Sequence, residues 1–131
     1  MAKQKTIRGL VDDCAVLMQK IVRLKDFNQN GYCTCVTCGK TGHWKEMQGG
    51  HYISRVYTST KLLEENIHPQ CRGCNMYGHR VHDDYTVYMI DTYGEDFVRE
   101  LNEIKRNTKK YTRIEVTELR EELKQRLKEL C

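Results

Sequence analysis

Two Cys-x-x-Cys pairs, Cys35–Cys38 and Cys71–Cys74, bracket the stretch of chain that carries His43, His51 and His68. Such a knuckle lets two thiolates reach one ion from a tight turn, and Gly39 directly follows the first pair. Four thiolates close a tetrahedral shell around Zn²⁺, which makes a structural site rather than a catalytic one. Cys33 is a rival to Cys35 as ligand. The pair separated by two residues is the commoner knuckle, so Cys35 is preferred and Cys33 reads as a small buried residue beside the metal. Residues 39 to 70, 32 in number, separate Cys38 from Cys71, whereas a simple zinc ribbon has about 15–20. Something is therefore built between the knuckles. That insert holds Gly49-Gly50-His51-Tyr52-Ile53 and then Asn66-Ile67-His68-Pro69-Gln70. Asn75 follows the last cysteine of the pairs, and His79 comes four residues later, on the same face of a helix.

A His, then an Asn, then an Asn or His just past a knuckle is the order found in HNH nucleases. On these residues the chain resembles the HNH (ββα-metal) endonuclease superfamily, and within it the phage recombination endonuclease family NinG/Rap. It is also similar to the zinc-stapled endonuclease VII type, in which an Asn directly follows the last zinc cysteine. The resemblance runs from about Gly31 to Gly94. It implies that His51 deprotonates an attacking water, a task that suits an imidazole because its pKa lies near working pH. It implies that Asn66 holds the loop between two strands, and that Asn75 ligates a catalytic Mg²⁺ or Mn²⁺. His79 would be a second ligand of that cation or a phosphate contact. HNH nucleases often place Asp or His just before the general base. Here that position is Gly50, and Glu46 and Gln48 are the nearest polar substitutes. His68 reads as structural, His43 and His82 as surface residues, and Trp44 as packing.

The resemblance thus predicts a metal-dependent DNA endonuclease, structure-specific on branched recombination intermediates such as Holliday junctions. Symmetric cutting of a junction needs two active sites, so a homodimer is implied. The alternative is a non-catalytic zinc module that binds DNA or a recombination protein. A sequence-specific HNH enzyme fits less well, because so short a chain has no extra specificity domain.

The elements that must position these residues follow from the rest of the chain. With 131 residues there is room for one domain. Hydrophobic residues make up 39% and charged residues 31%, so the core is small and a metal staple is expected. The seven cysteines are not preceded by a signal peptide, which points to a reducing compartment and metal binding rather than disulfides. That compartment is the host bacterial cytoplasm if the gene is a phage's. Cys14 and Cys131 read as unpaired thiols. No apolar run is long enough to span a membrane, and no small-molecule substrate is indicated. Net charge is +4, compatible with DNA. Lys105, Arg106, Lys109 and Lys110, with Arg113, form a basic cluster that is either a solvated face or a phosphate contact.

The predicted architecture is α+β: a helix over 6–26, a zinc-bound core over 31–82 and a helical tail over 83–131. Ile7, Leu10, Val11, Cys14, Leu17, Met18, Ile21 and Val22 recur at helical spacing. Short strands are expected at 32–36, 51–53 and 66–68, with a loop over 54–63. A helix follows near 83, capped by Asp83 or Asp84, and Tyr93-Gly94 breaks it. A further helix runs over 96–106 with Phe97, Leu101 and Ile104 on one face. Thr112-Arg113-Ile114-Glu115 fits a capping box for a last helix bearing Leu119, Leu123, Leu127 and Leu130. That stripe is a docking face or a dimer seam.

Overall fold

The computed structural model describes residues 4–25, 31–76 and 81–130. The first helix, α1 (Ile7–Leu24), starts at Thr6, whose hydroxyl accepts from the Gly9 amide at 3.0 Å. That bond satisfies one of the free donors of the first turn. The apolar stripe of α1 buries Leu10, Val11, Cys14, Met18, Ile21 and Val22.

Its partner is the last helix, which we number α5 (Arg113–Leu130). The capping box forms as expected. The Glu115 amide donates to Thr112 Oγ1 at 3.2 Å, and the Thr112 amide donates to Glu115 Oε2 at 3.2 Å. Val116 and Leu123 are buried against α1, with Leu119, Leu127 and Leu130 at the edge of the same core. The leucine stripe is thus a docking face taken up by α1. Cys14 is a free, fully buried thiol that donates to the Val116 carbonyl at 3.5 Å, tying the two helices together.

Two antiparallel strand pairs fill the middle of the chain. Strands β1 (Tyr32–Thr34) and β2 (Thr41–His43) form one hairpin, with Cys33 opposite Gly42. Strands β3 (Gln48–His51) and β4 (Ile67–Gln70) form the other, with His51 opposite Ile67 and Gly50 opposite His68. The expectation of a strand over 51–53 is corrected: β3 begins earlier and ends at His51. The strand expected at 66–68 starts at Ile67 instead, because Glu64–Asn66 is a single 3-10 turn. Gly49 lets α1 lie directly on β3, since a Cβ there would come within 2.9 Å of the Gln19 backbone.

After β4 come α2 (Arg72–Met76), α3 (His82–Tyr93) and α4 (Glu95–Ile104). Neither Asp83 nor Asp84 caps α3. Val81 occupies the cap position without a side-chain bond, and both aspartates lie in the first turn, where their charge suits the helix dipole. Gly94, at φ +93°, ends α3 and opens α4. A second core joins Tyr85, Met89, Val98 and Leu101 to Tyr52 and Ile53 just beyond β3. The fold is α+β. No helix among the described residues is long and apolar enough to cross a membrane.

Candidate active site and metal centre

Cys35 and Cys38 lie on the turn between β1 and β2, and Cys71 and Cys74 lie at the start of α2. Gly39, at φ +79°, closes the first turn, with its amide donating to the Cys35 carbonyl at 2.9 Å. The four sulfurs lie within 4.8 Å of one another, and Cys38 Sγ is 3.7 Å from Cys71 Sγ. A tetrahedron with Zn–S bonds of about 2.3 Å has S–S edges of about 3.8 Å, so the cluster fits a structural zinc ion. Burial and the neighbouring thiols push Cys74 up to about 12, a penalty that a bound dication removes. Cys33 is not one of the four. It is buried in β1 beside Cys35 and Met47, as its small size suggested.

The β3–β4 hairpin leads directly into α2, so the thiol cluster fixes one end of it. His51, the last residue of β3, is half-buried. One ring nitrogen, Nε2, lies 2.9 Å from the Lys61 carbonyl. A carbonyl only accepts, so Nε2 carries the proton and Nδ1 keeps its lone pair. Burial lowers the pKa of this imidazole below its ordinary value. The Arg55 and Lys61 charges act in the same direction, against the bond to the carbonyl. His51 is thus neutral at physiological pH.

Asn66 is completely buried and spans the base of the loop between the strands. Its Oδ1 accepts from the Ile53 amide at 2.8 Å. Its Nδ2 donates to the carbonyls of Ile53 at 3.0 Å and Thr60 at 3.2 Å. It therefore closes the loop whose Lys61 carbonyl orients His51. The far side of that loop is tied to the tail: the Ser59 hydroxyl donates to the Ile104 carbonyl at 2.7 Å, and Tyr111 Oη donates to the Thr58 carbonyl at 2.6 Å.

His51 opens on a cleft of about 650 Å³, lined also by Gln19, Arg23, Gln48, Arg55 and Asn75. Asn75, on α2, donates from Nδ2 to Gln48 Oε1 at 2.6 Å. Arg23 donates to the carbonyls of Gln19, Trp44 and Met47 at 2.8–3.0 Å, pinning the entry to β3 to α1. Trp44 packs under the Arg23 guanidinium, 5.6 Å from ring centroid to Cζ.

His68 faces the second core and is 3% exposed. Tyr85 Oη donates to the Gly50 carbonyl at 2.7 Å. His68 Nδ1 then donates to Tyr85 Oη at 3.1 Å, and Nε2 accepts from Tyr93 Oη at 2.7 Å. Burial lowers its pKa to about 4. The role is structural, as the sequence suggested. His82 is exposed and stacks on Tyr52, with ring centroids 5.1 Å apart.

The structure brings His51, Asn66, Asn75 and the thiol cluster together around one hairpin. His79 and Cys131 lie outside the described residues. The basic cluster is elsewhere: Lys105, Arg106, Lys109 and Lys110 do not line the cleft. Arg106 pairs with Glu103 at 3.8 Å, Lys109 pairs with Glu115 at 2.7 Å, and Lys105 sits over the Tyr57 ring. Cations beside His51 include Arg23, Arg55 and Lys61, which sequence reasoning missed because no periodic or motif signal marks them. Gln70, buried on β4, stands within the segment Asn66-Ile67-His68-Pro69-Gln70, but sequence reasoning gave it no role.

No curated protein and no solved structure matches the chain. The family model described as the bacteriophage lambda NinG protein matches residues 1–131, its full length. The chain belongs to the NinG family.

Proposed function

We propose that this protein is an HNH-type (ββα-metal) DNA endonuclease that hydrolyses phosphodiester bonds, with β3, β4 and α2 as its ββα unit. The observation that carries the reading is His51: a neutral imidazole with Nε2–H committed to the Lys61 carbonyl and Nδ1 free, beside Asn75 and two arginines. Such a group is poised to accept a proton near neutral pH.

In the proposed reaction Nδ1 of His51 takes a proton from a water molecule. The water oxygen bonds to phosphorus and the P–O ester bond breaks; the leaving oxygen takes a proton from solvent, so the products are a phosphomonoester and an alcohol. The proton then passes from Nδ1 to solvent. The Lys61 carbonyl stabilises the transient imidazolium through Nε2–H, and Asn66 keeps that carbonyl in place. Arg55, exposed at the mouth of the cleft, draws in the phosphate. A hard divalent cation, Mg²⁺ or Mn²⁺, supplies Lewis-acid stabilisation of the phosphate and the leaving oxygen when bound. Among the described residues Asn75 is the ligand that the resemblance assigns to it.

Preference for branched recombination intermediates such as Holliday junctions rests on the NinG/Rap resemblance. It brings in a second copy, since two strands must be cut. The leucine stripe of α5 is taken up by α1, so a dimer contact uses another surface.

Cleavage of a labelled four-way junction beside a linear duplex, in Mg²⁺ and Mn²⁺, tests the reading. Zinc-loaded wild type is expected to cut the junction preferentially, and His51→Ala to lose about 100-fold or more. Equal cutting of both substrates would remove the branch preference. No cutting by folded wild type in either metal would leave a zinc module that binds DNA or a recombination protein.

A further inference from the structure

Residue 50 is where the resemblance calls for a carboxylate or imidazole beside the general base, and glycine stands there. The structure shows which groups stand in that space. A Cβ built on Gly50 would overlap Gln70 Oε1, lie 2.6 Å from Gln70 Cδ and come within 3.0 Å of Asn75 Oδ1. The space a side chain at residue 50 would fill is occupied by a carboxamide from the facing strand.

Gln70 is only 2% exposed and stands directly before Cys71. Its Nε2 donates to Thr37 Oγ1 at 3.1 Å, and that hydroxyl lies 3.3 Å from Cys35 Sγ. The amide is thereby braced against the thiol cluster with Oε1 turned toward Gly50. Asn75 is oriented in the same way: its Nδ2 is committed to Gln48 Oε1, which leaves Oδ1. Two amide oxygens, each with its NH₂ group held elsewhere, converge beside one glycine. Both residues line a second cleft next to His51. Among the described residues no hydrogen-bond donor meets either oxygen. Converging lone pairs repel unless a cation or a donor lies between them, and amide oxygens are ordinary ligands of hard divalent ions. Glu46, the nearest acid in sequence before His51, is exposed and does not line either cleft.

We propose that Gln70 and Asn75 together hold the divalent cation of the His51 site, with Gln70 taking from β4 the ligand position that residue 50 cannot supply from β3. The site is made of neutral oxygens, so the protein offers no charge to the ion, and water molecules complete its shell until a phosphate replaces one of them. The cation's part in hydrolysis rests on the nuclease reading. Its binding does not.

The test is Mn²⁺ binding followed by electron paramagnetic resonance on zinc-loaded protein without DNA. Gln70→Glu keeps the shape and adds a charge, and is expected to tighten Mn²⁺ binding by about tenfold or more. Gln70→Leu removes the oxygen and is expected to weaken it by a similar factor. Zinc content and near-ultraviolet circular dichroism verify that each variant is folded. If Gln70→Leu does not fold, Gln70→Glu alone decides. Unchanged Mn²⁺ affinity in folded Gln70→Glu overturns the proposal, as does wild-type affinity in folded Gln70→Leu. Gln70-dependent Mn²⁺ binding by a wild type that cuts no DNA would sustain this site and end the nuclease reading. Metal-dependent cutting with an affinity indifferent to residue 70 would do the reverse.

Discussion

His51 and His68 stand on adjacent strands of one hairpin, one pair apart in register, and burial lowers the pKa of both. On the core side, His68 has each ring nitrogen bonded to a tyrosine hydroxyl. On the cleft side, His51 has one nitrogen bonded to a carbonyl and the other left over. Burial therefore does not separate the imidazole proposed to react from the structural one. The count of satisfied ring nitrogens does. The Tyr85 hydroxyl that receives His68 also donates to the carbonyl of Gly50, next to His51, so the structural histidine helps to hold the strand that carries the other.

The most severe way to break this comparison is to remove what both sides share. Stripping the metal with a chelator, or replacing Cys38 and Cys71 by serine, should abolish the ordered hairpin. Thermal melting with metal analysis would register a larger loss than any single histidine substitution causes. An unchanged melt after complete loss of metal would mean that the thiol cluster is not a staple.

Next in size is the pair of substitutions themselves. His68→Ala leaves a cavity and two tyrosine hydroxyls without their partner, and should cost roughly 2–4 kcal/mol in urea denaturation. His51→Ala should cost less than about 1 kcal/mol. Similar costs would erase the distinction. Acid sharpens it. His68 titrates at about 4 in the folded protein and near 6.5 when unfolded. Its contribution is present in full above pH 6.5 and is lost as pH falls toward 4, because the unfolded chain takes up the proton first. That part of the acid slope should vanish in His68→Ala.

The smallest effect belongs to Glu64, in the turn just before β4. Arg126 bonds it through both guanidinium nitrogens at 2.6 and 3.2 Å and Lys25 at 2.8 Å, so the hairpin is latched to both terminal helices. The Arg126 bond, with help from Lys25, overcomes burial and brings its pKa down to about 2. Its stabilisation is present above about pH 4.5 and fades as pH falls toward 2. Glu64→Gln should cost at most about 1 kcal/mol at pH 7, because the pair is solvent-screened, and the difference from wild type should close in acid.

What was legible in the sequence was local. The Cys-x-x-Cys knuckles, the capping box Thr112–Glu115 and the stripe of α1 each depend on residues a few positions apart, and each formed as read. The residues His51, Asn66 and Asn75 lie around one hairpin, and the Asn66 side chain bonds the backbone of the loop between its strands. Strand β2 was not anticipated, because Thr41-Gly42-His43 is too short to show alternation. The start of β3 was misplaced because Gly49 and Gly50 are poor strand formers, and what approaches them in the fold is not visible in the sequence. Arg55 carries no signal of its own, and Gln70 stands inside the segment that begins at Asn66 without showing there what it does. Their places beside the cleft come from strand register and from the path of the loop, both set by tertiary packing.

The loop from Ser54 to Leu63 is bound to residues 45 to 53 positions further along the chain, through Ser59 to Ile104 and Thr58 to Tyr111. The aim of the imidazole is thus partly inherited from a stretch that contains none of the signature residues. The tail acts as a splint for the loop that holds the His51 ring: without those two bonds the signature residues would all remain, and the ring would lose part of its support. Possession of the signature and the holding of its histidine are therefore separate traits in this architecture, and the second draws on the end of α4 and the link to α5.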